Sequence, residues 1–276
     1  MKRALALFAV LPLAACGALR SLGVASPEAR LEAARFEELS PSGVTIVFDV
    51  TLVNPAAVEL PVAGIEFALE SGGARFLEGE AIFTRSVPAR GEATLPVPAT
   101  VDFAGLLRAA SGARAGALVP YAVDVACAVD APGAGRIRLP LRHEGRIPIP
   151  ALPEVAVERV RWESLRLDMA AAVVEIAVTN PNAFEIDVAR FAYALDLAGG
   201  TIARGGISGS GAIEPGGRKT LPVRITFAPM DVGAAAFGLL QGKGARYALR
   251  GEMALATEFG TFTAPFDKTG DTPLGK

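Results

Sequence analysis

A chain of 276 residues is long enough for two domains of ordinary size, and its composition, 51% hydrophobic and 20% charged, excludes a disordered polymer. A formal net charge of −2 with no basic run leaves nothing to neutralise a phosphate backbone, which argues against nucleic acid as a partner.

Residues 1–15 carry the three parts of a secretory signal: Lys2-Arg3, an apolar run over residues 4–13, and small residues after it. The apolar run is too short to span a bilayer as a helix. Leu13-Ala14-Ala15-Cys16-Gly17 resembles a bacterial lipobox. That resemblance implies cleavage before Cys16, a diacylglycerol thioether on its sulfur, and a further acyl chain on the new amino terminus. Several acyl chains anchor a protein durably where one would be marginal. Gly17, and not Asp, follows the cysteine, which resembles the pattern for export to the outer membrane. The expectation is an envelope protein held by lipid on the periplasmic face of the outer membrane, with residues 16–26 as its tether. Cys127 would then be the only cysteine left, so no intrachain disulfide is expected. It shares the apolar face of the alternating run 123–130 and reads as a buried structural thiol.

Residues 27–150 and 151–276 read as two copies of one domain. Asn54 and Asn180 differ by 126, and the same offset pairs Pro27-Glu28 with Pro153-Glu154, Arg35 with Arg161, Phe36 with Trp162, Leu39 with Leu165, and Tyr121 with Tyr247. One deletion then shifts the offset to 125, pairing Pro140 with Pro265 and Gly145 with Gly270. So constant an offset indicates tandem duplication, and two units make a pair of domains and not a solenoid.

Within a copy, the first element is contested. Residues 26–35 have the propensity of a capped helix, whereas their twin, residues 155–160, alternates as a strand; tertiary context overrides propensity, so both are predicted as strands. Ile46, Phe48, Val50 and Leu52 then share one face, as do Ala172, Val174, Ile176 and Val178. Each run ends at Asn-Pro: Asn54-Pro55 in the first copy, Asn180-Pro181-Asn182 in the second. Asn bonds its own downstream backbone while Pro fixes φ and donates no amide, so the pair ends one strand and aims the next. In that next strand the apolar parity changes near Gly64, and again between Val188 and Phe191, which predicts a bulge at one place in both copies. A Gly-rich turn, a weaker strand and a turn at residues 88–91 or 214–217 follow. Pro96 and Pro222 lie on the outward face of the following strand and predict an edge. Asp102 is placed to cap a short helix carrying Phe103, Leu106, Leu107 and Ala110, and Asp231 to cap its twin through Leu240. Two closing strands, residues 121–129 and 136–141, or 247–255 and 261–266, complete a copy. The predicted fold is all-β with one short helix per domain, arranged as two tandem immunoglobulin- or fibronectin-like antiparallel β-sandwiches. Three prolines in residues 147–153 predict an extended, stiff joint that limits relative motion without abolishing it.

Pro153-Glu154-Val155, the strand into Val178-Thr179-Asn180-Pro181-Asn182 and the closing strand pair together resemble the WHy (water stress and hypersensitive response) domain of the type-2 late embryogenesis abundant proteins. The resemblance covers both copies; the first departs from it with Ala56 where the second asparagine would stand. It implies folded β-sandwiches associated with desiccation and stress tolerance, in which Asn54, Pro55, Asn180, Pro181 and Asn182 are structural motif residues.

Chemistry is sparse. His143 is the only histidine and reads as part of a polar turn, with no second His or Cys to complete a metal site. Residues 206–211 look briefly like a nucleophile elbow, but Ser210 holds the place of the last glycine; residues 238–244 lack the spacing of a phosphate loop. No catalytic residue, cofactor or metal is expected. Two roles remain: a lipid-anchored, non-enzymatic envelope protein that protects or holds partners under water stress, or a binding module for lipid or another apolar molecule. The second would use a groove between helix and sheet, around residues 233–242.

Overall fold

The computed structural model describes residues 26–131, 133, 135–166, 168–197, 200–232 and 246–271. Period-two alternation builds the first sandwich from β1 (Glu28–Glu37), β2 (Gly43–Val53), β3 (Leu60–Ser71), β4 (Ala74–Ala81), β5 (Ser86–Val87), β6 (Glu92–Asp102), α1 (Phe103–Ala109), β7 (Leu118–Ala131) and β8 (Gly135–Pro148). The second consists of β9 (Glu154–Leu165), β10 (Ala170–Thr179), β11 (Ile186–Leu197), β12 (Gly200–Ile213), β13 (Arg218–Phe227), β14 (Arg246–Thr257) and β15 (Gly260–Asp271). One sheet of the first sandwich runs β1-β2-β6 and the other β4-β3-β7-β8, with the short β5 paired to β3. The second sandwich repeats both, as β9-β10-β13 and β12-β11-β14-β15. The strand order is that of two tandem antiparallel sandwiches.

Register repeats as closely as order. Phe48 faces Val97 across β2 and β6, and its twin Val174 faces Val223 across β10 and β13. The bulge expected near Gly64 leaves Ala63 unpaired between β3 and β7, and the twin bulge leaves Ala189 unpaired between β11 and β14. The opening segments are strands in both copies. β1 is bulged at Glu32 and β9 at Glu158, a shared interruption that broke the alternation and lent residues 26–35 their helical look. β6 and β13 each bond on one side only, so Pro96, Pro98 and Pro222 sit where a missing N–H costs no ladder bond.

The core lies between the sheets. Ile46, Phe48, Val50 and Leu52 of β2 pack over Ile65 and Leu69 of β3 and Val123, Val125 and Cys127 of β7, all at or near zero exposure. Asp102 caps α1 as predicted, its Oδ2 accepting from the Gly105 amide at 2.8 Å. Phe103 and Leu106 are buried, but Leu107 is 40% exposed, because seven residues of helix present only one face to the core. The matching stretch of the second copy is a 3-10 turn at Pro229–Val232, and the helix expected beyond it lies outside the described residues.

Two expectations change. The closing hairpins are longer than predicted, with β8 running to Pro148 and β15 to Asp271, and His143 lies within β8 opposite Val123, not in a turn. The inward positions after Leu141 are His143 and Gly145, so the hydrophobic signal fades although the strand continues. Gly145 is needed there: a Cβ on it would lie 2.7 Å from the Tyr121 ring, and Gly270 sits in the same way under Tyr247. The joint is also more than a stiff spacer, since residues 147–150 are all buried.

Candidate functional site

The turn after β2 is organised by one amide. Asn54 is 1% exposed, and its Nδ2 points at the carbonyls of Val58 (2.8 Å), Val87 (3.2 Å) and Pro88 (2.9 Å), while its Oδ1 accepts from the Ala56 amide at 3.0 Å. Its backbone N–H donates to the Gly91 carbonyl at 2.8 Å. Asn180, 0% exposed, does the same at each corresponding position. Its Nδ2 meets the carbonyls of Phe184 (2.8 Å), Ile213 (3.0 Å) and Glu214 (3.2 Å), its Oδ1 accepts from the Asn182 amide (2.9 Å), and its N–H donates to Gly217 (2.9 Å). A side-chain amide has two N–H donors and one acceptor oxygen, and in both residues the amino group and the oxygen are engaged inside the protein. Pro55 and Pro181 follow, where the chain turns from one sheet to the other and no ladder amide is required.

The two motif copies differ at the next residue. Asn182 is 2% exposed; its Nδ2 donates to the Asn180 Oδ1 at 2.9 Å and to the Ala151 carbonyl at 3.1 Å, and its Oδ1 accepts from the Ala151 amide at 2.7 Å. Ala56, at the corresponding place, has no group to do this. Sequence reasoning found these asparagines but not their distant acceptors, which for Asn54 and Asn180 include backbone carbonyls 33 and 34 residues away.

Among the described residues the remaining candidates gather into no active centre. Cys16 lies outside the described residues, as do residues 233–242. Cys127 is buried, and desolvation pushes its thiol up to about 11, so little thiolate exists near neutral pH. Native protein is therefore expected to leave Cys127 unmodified by iodoacetamide at pH 7.5, and urea-unfolded protein to be alkylated there, as read by mass spectrometry. Ser208 and Ser210 both lie within β12, not at a strand-to-helix elbow, and the buried Ser210 Oγ has no partner. Among the described residues no group of three or more His, Cys, Asp or Glu could hold a metal ion. No described helix is long and apolar enough to cross a membrane. Arg35 forms a two-point bond to Asp49 (2.8 and 3.0 Å), which lowers the Asp49 pKa, but it is a paired surface group and not a catalytic one. An apolar void between the sheets of the second sandwich, lined by Val160, Trp162, Leu197 and Tyr247 among others, has a volume of about 20 Å³. The Trp162 indole N–H on that lining finds no acceptor.

The family model of the late embryogenesis abundant protein matches residues 49–145 and again residues 175–270. A desiccation-related protein of Craterostigma plantagineum is 24% identical over 132 residues, which is 48% of this chain and 87% of that protein. A desiccation-related protein of Arabidopsis thaliana is 24% identical over 129 residues, 47% of this chain and 78% of that protein. Each relative therefore corresponds to about one of the two copies. Among solved structures, a late embryogenesis abundant protein in solution aligns with TM-score 0.41 and 24% identity, covering 50% of this chain and 80% of that one. An Arabidopsis thaliana protein aligns with TM-score 0.39 and 21% identity, over 45% and 82%.

Proposed function

The chain belongs to the late embryogenesis abundant protein family, and from that premise we propose that it is a non-enzymatic, lipid-anchored envelope protein that protects or holds partners under desiccation or osmotic stress. The observation that carries this reading is the double family match, supported by relatives named as desiccation-related proteins that each match about half of the chain. The signal-like residues 1–15 and Cys16 support an envelope location, and acyl chains on Cys16 would keep both sandwiches at the membrane. The motif amides support a scaffold role over a catalytic one, because their hydrogen-bonding capacity is spent on the protein's own backbone.

The competing role, carrying a lipid or other apolar ligand, has less to rest on. The groove expected at residues 233–242 lies outside the described residues, and the apolar void beside Trp162 is about 20 Å³, whereas ligand pockets occupy roughly 300–1,000 Å³.

A deletion strain should survive drying and osmotic shock less well than its parent. Wild-type protein should restore survival, whereas Cys16→Ala protein should take up no labelled palmitate and restore it poorly. Equal survival of deletion and parent strains would overturn the protective role, and palmitate labelling of Cys16→Ala protein would overturn the anchor.

A further inference from the structure

We infer that the two sandwiches form one rigid body, locked by Asn182, and that this lock is the specific use of the second motif asparagine. The far end of the first sandwich, where β7 begins and β8 runs into the linker, abuts the Asn-Pro end of the second. Three sets of contacts cross or brace that junction. First, Asn182 holds the linker peptide by both its polar groups, with Ala151 N–H on Oδ1 (2.7 Å) and Ala151 C=O on Nδ2 (3.1 Å). Such a paired bond fixes orientation as well as distance, and it lies in a partly buried place where water competes less.

Second, the loop before β7 is stitched to both sides. The Gly116 amide donates to the Ile149 carbonyl at 2.7 Å and the Ile149 amide to the Ala117 carbonyl at 3.0 Å, while the Ala183 amide of the second sandwich donates to the Gly116 carbonyl at 2.7 Å. Gly116 is the residue the approach permits: its φ is +84°, and a Cβ on it would lie 2.7 Å from the Pro181 carbonyl oxygen. Third, Phe36 of the first sandwich meets Phe259 edge-on at 5.5 Å between centroids, and Phe259 meets Phe184 edge-on at 5.5 Å. Ring contacts alone would let the domains slide; hydrogen bonds on the linker and on Gly116 fix the angle.

The first copy shows what the lock adds. Its motif turn keeps the Asn54 bonds but has Ala56 in place of Asn182, and Val58, the twin of the 3%-exposed Phe184, is 51% exposed. The same turn therefore exists with and without the lock, and the second asparagine goes with the copy that receives a neighbour. Domain pairs joined by a linker move relative to one another unless an interface prevents it. Here a partner that touches both sandwiches meets one fixed surface.

The test uses the whole chain with Cys16→Ala and spin labels at the exposed twin positions Glu78→Cys and Arg204→Cys, Cys127 being buried and unlabelled. Double electron–electron resonance should give one narrow distance peak in this parent. Asn182→Ala and, separately, Gly116→Ala should lose that peak to a broad distribution while circular dichroism stays that of folded β-sheet. Ala56→Asn should leave the narrow peak as it is. A broad distribution in the parent, or a peak equally narrow in both folded variants, would overturn the inference. Gly116→Ala sits in a loop outside both sheets, so it decides the matter even where Asn182→Ala compromises folding.

Discussion

Asn180→Ala is expected to lower the stability of the second sandwich by about 3–5 kcal/mol, one of the largest effects of any single truncation in the chain. The substitution strands the carbonyls of Phe184, Ile213 and Glu214 and the amide of Asn182, which lie where β10 passes to β11 and β12 to β13. Each buried group left without a partner costs roughly 1–3 kcal/mol, far more than the net worth of an ordinary exposed hydrogen bond. Trp162 is the chain's only tryptophan and lies in the second sandwich, so its fluorescence during urea unfolding reports this domain. Asn180→Asp should fare no better. It keeps an acceptor for Asn182 but loses both donors and buries a charge among carbonyl oxygens. A drop below about 1 kcal/mol for Asn180→Ala would mean that the amide is not what holds the turn.

Because both copies use this device in the same geometry, the duplication made the turn legible from sequence, and with it the strand order. Asn54 and Asn180 end their strands where the Asn-Pro pairs were read, and the bulges at Ala63 and Ala189 fall where the apolar parity changed. What escaped the reading has a common physical cause: an inward position filled by something other than a hydrophobic side chain. β8 looked finished at Leu141 because its next inward residues are His143 and Gly145, the latter vacated for the Tyr121 ring. β1 was read as a strand only through its twin, because the bulge at Glu32 breaks its own alternation. Asn182 was recognised as a motif residue, yet its bonds to Ala151 were not legible. A hydrogen bond to a linker peptide depends on where two domains meet, and no periodicity within either domain carries that information.

A second large effect follows from a place where the copies have diverged. Gly251 in β14 is the twin of Val125 in β7, a buried core residue at 2% exposure, so nothing in the repeat predicts a glycine. The surrounding residues account for it. Phe191 replaces Ile65 and Phe266 replaces Leu141, and the two rings stack at 4.9 Å and 13°. Phe266 thereby takes the volume that a side chain at residue 251 would need, with its Cζ 2.7 Å from where a Cβ would sit. The Ala192 carbonyl oxygen lies closer still, at 1.9 Å, and belongs to the paired strand β11. Gly251→Ala is therefore expected to destabilise the second sandwich by about 3 kcal/mol or more, and Gly251→Val, which restores the residue of the first copy, by more again. Gly206→Ala in β12, whose new Cβ would meet only the Phe191 oxygen at an ordinary 3.6 Å, should stay within about 1 kcal/mol of wild type. Phe266→Leu combined with Gly251→Ala should recover the share of the loss that is ring overlap and leave the share that is backbone. The double-mutant cycle, followed through Trp162, separates the two. A Gly251→Ala protein that unfolds at the wild-type urea concentration would show instead that β14 can shift away from Ala192 freely, and that ring stacking, not close strand approach, sets the spacing of this sheet.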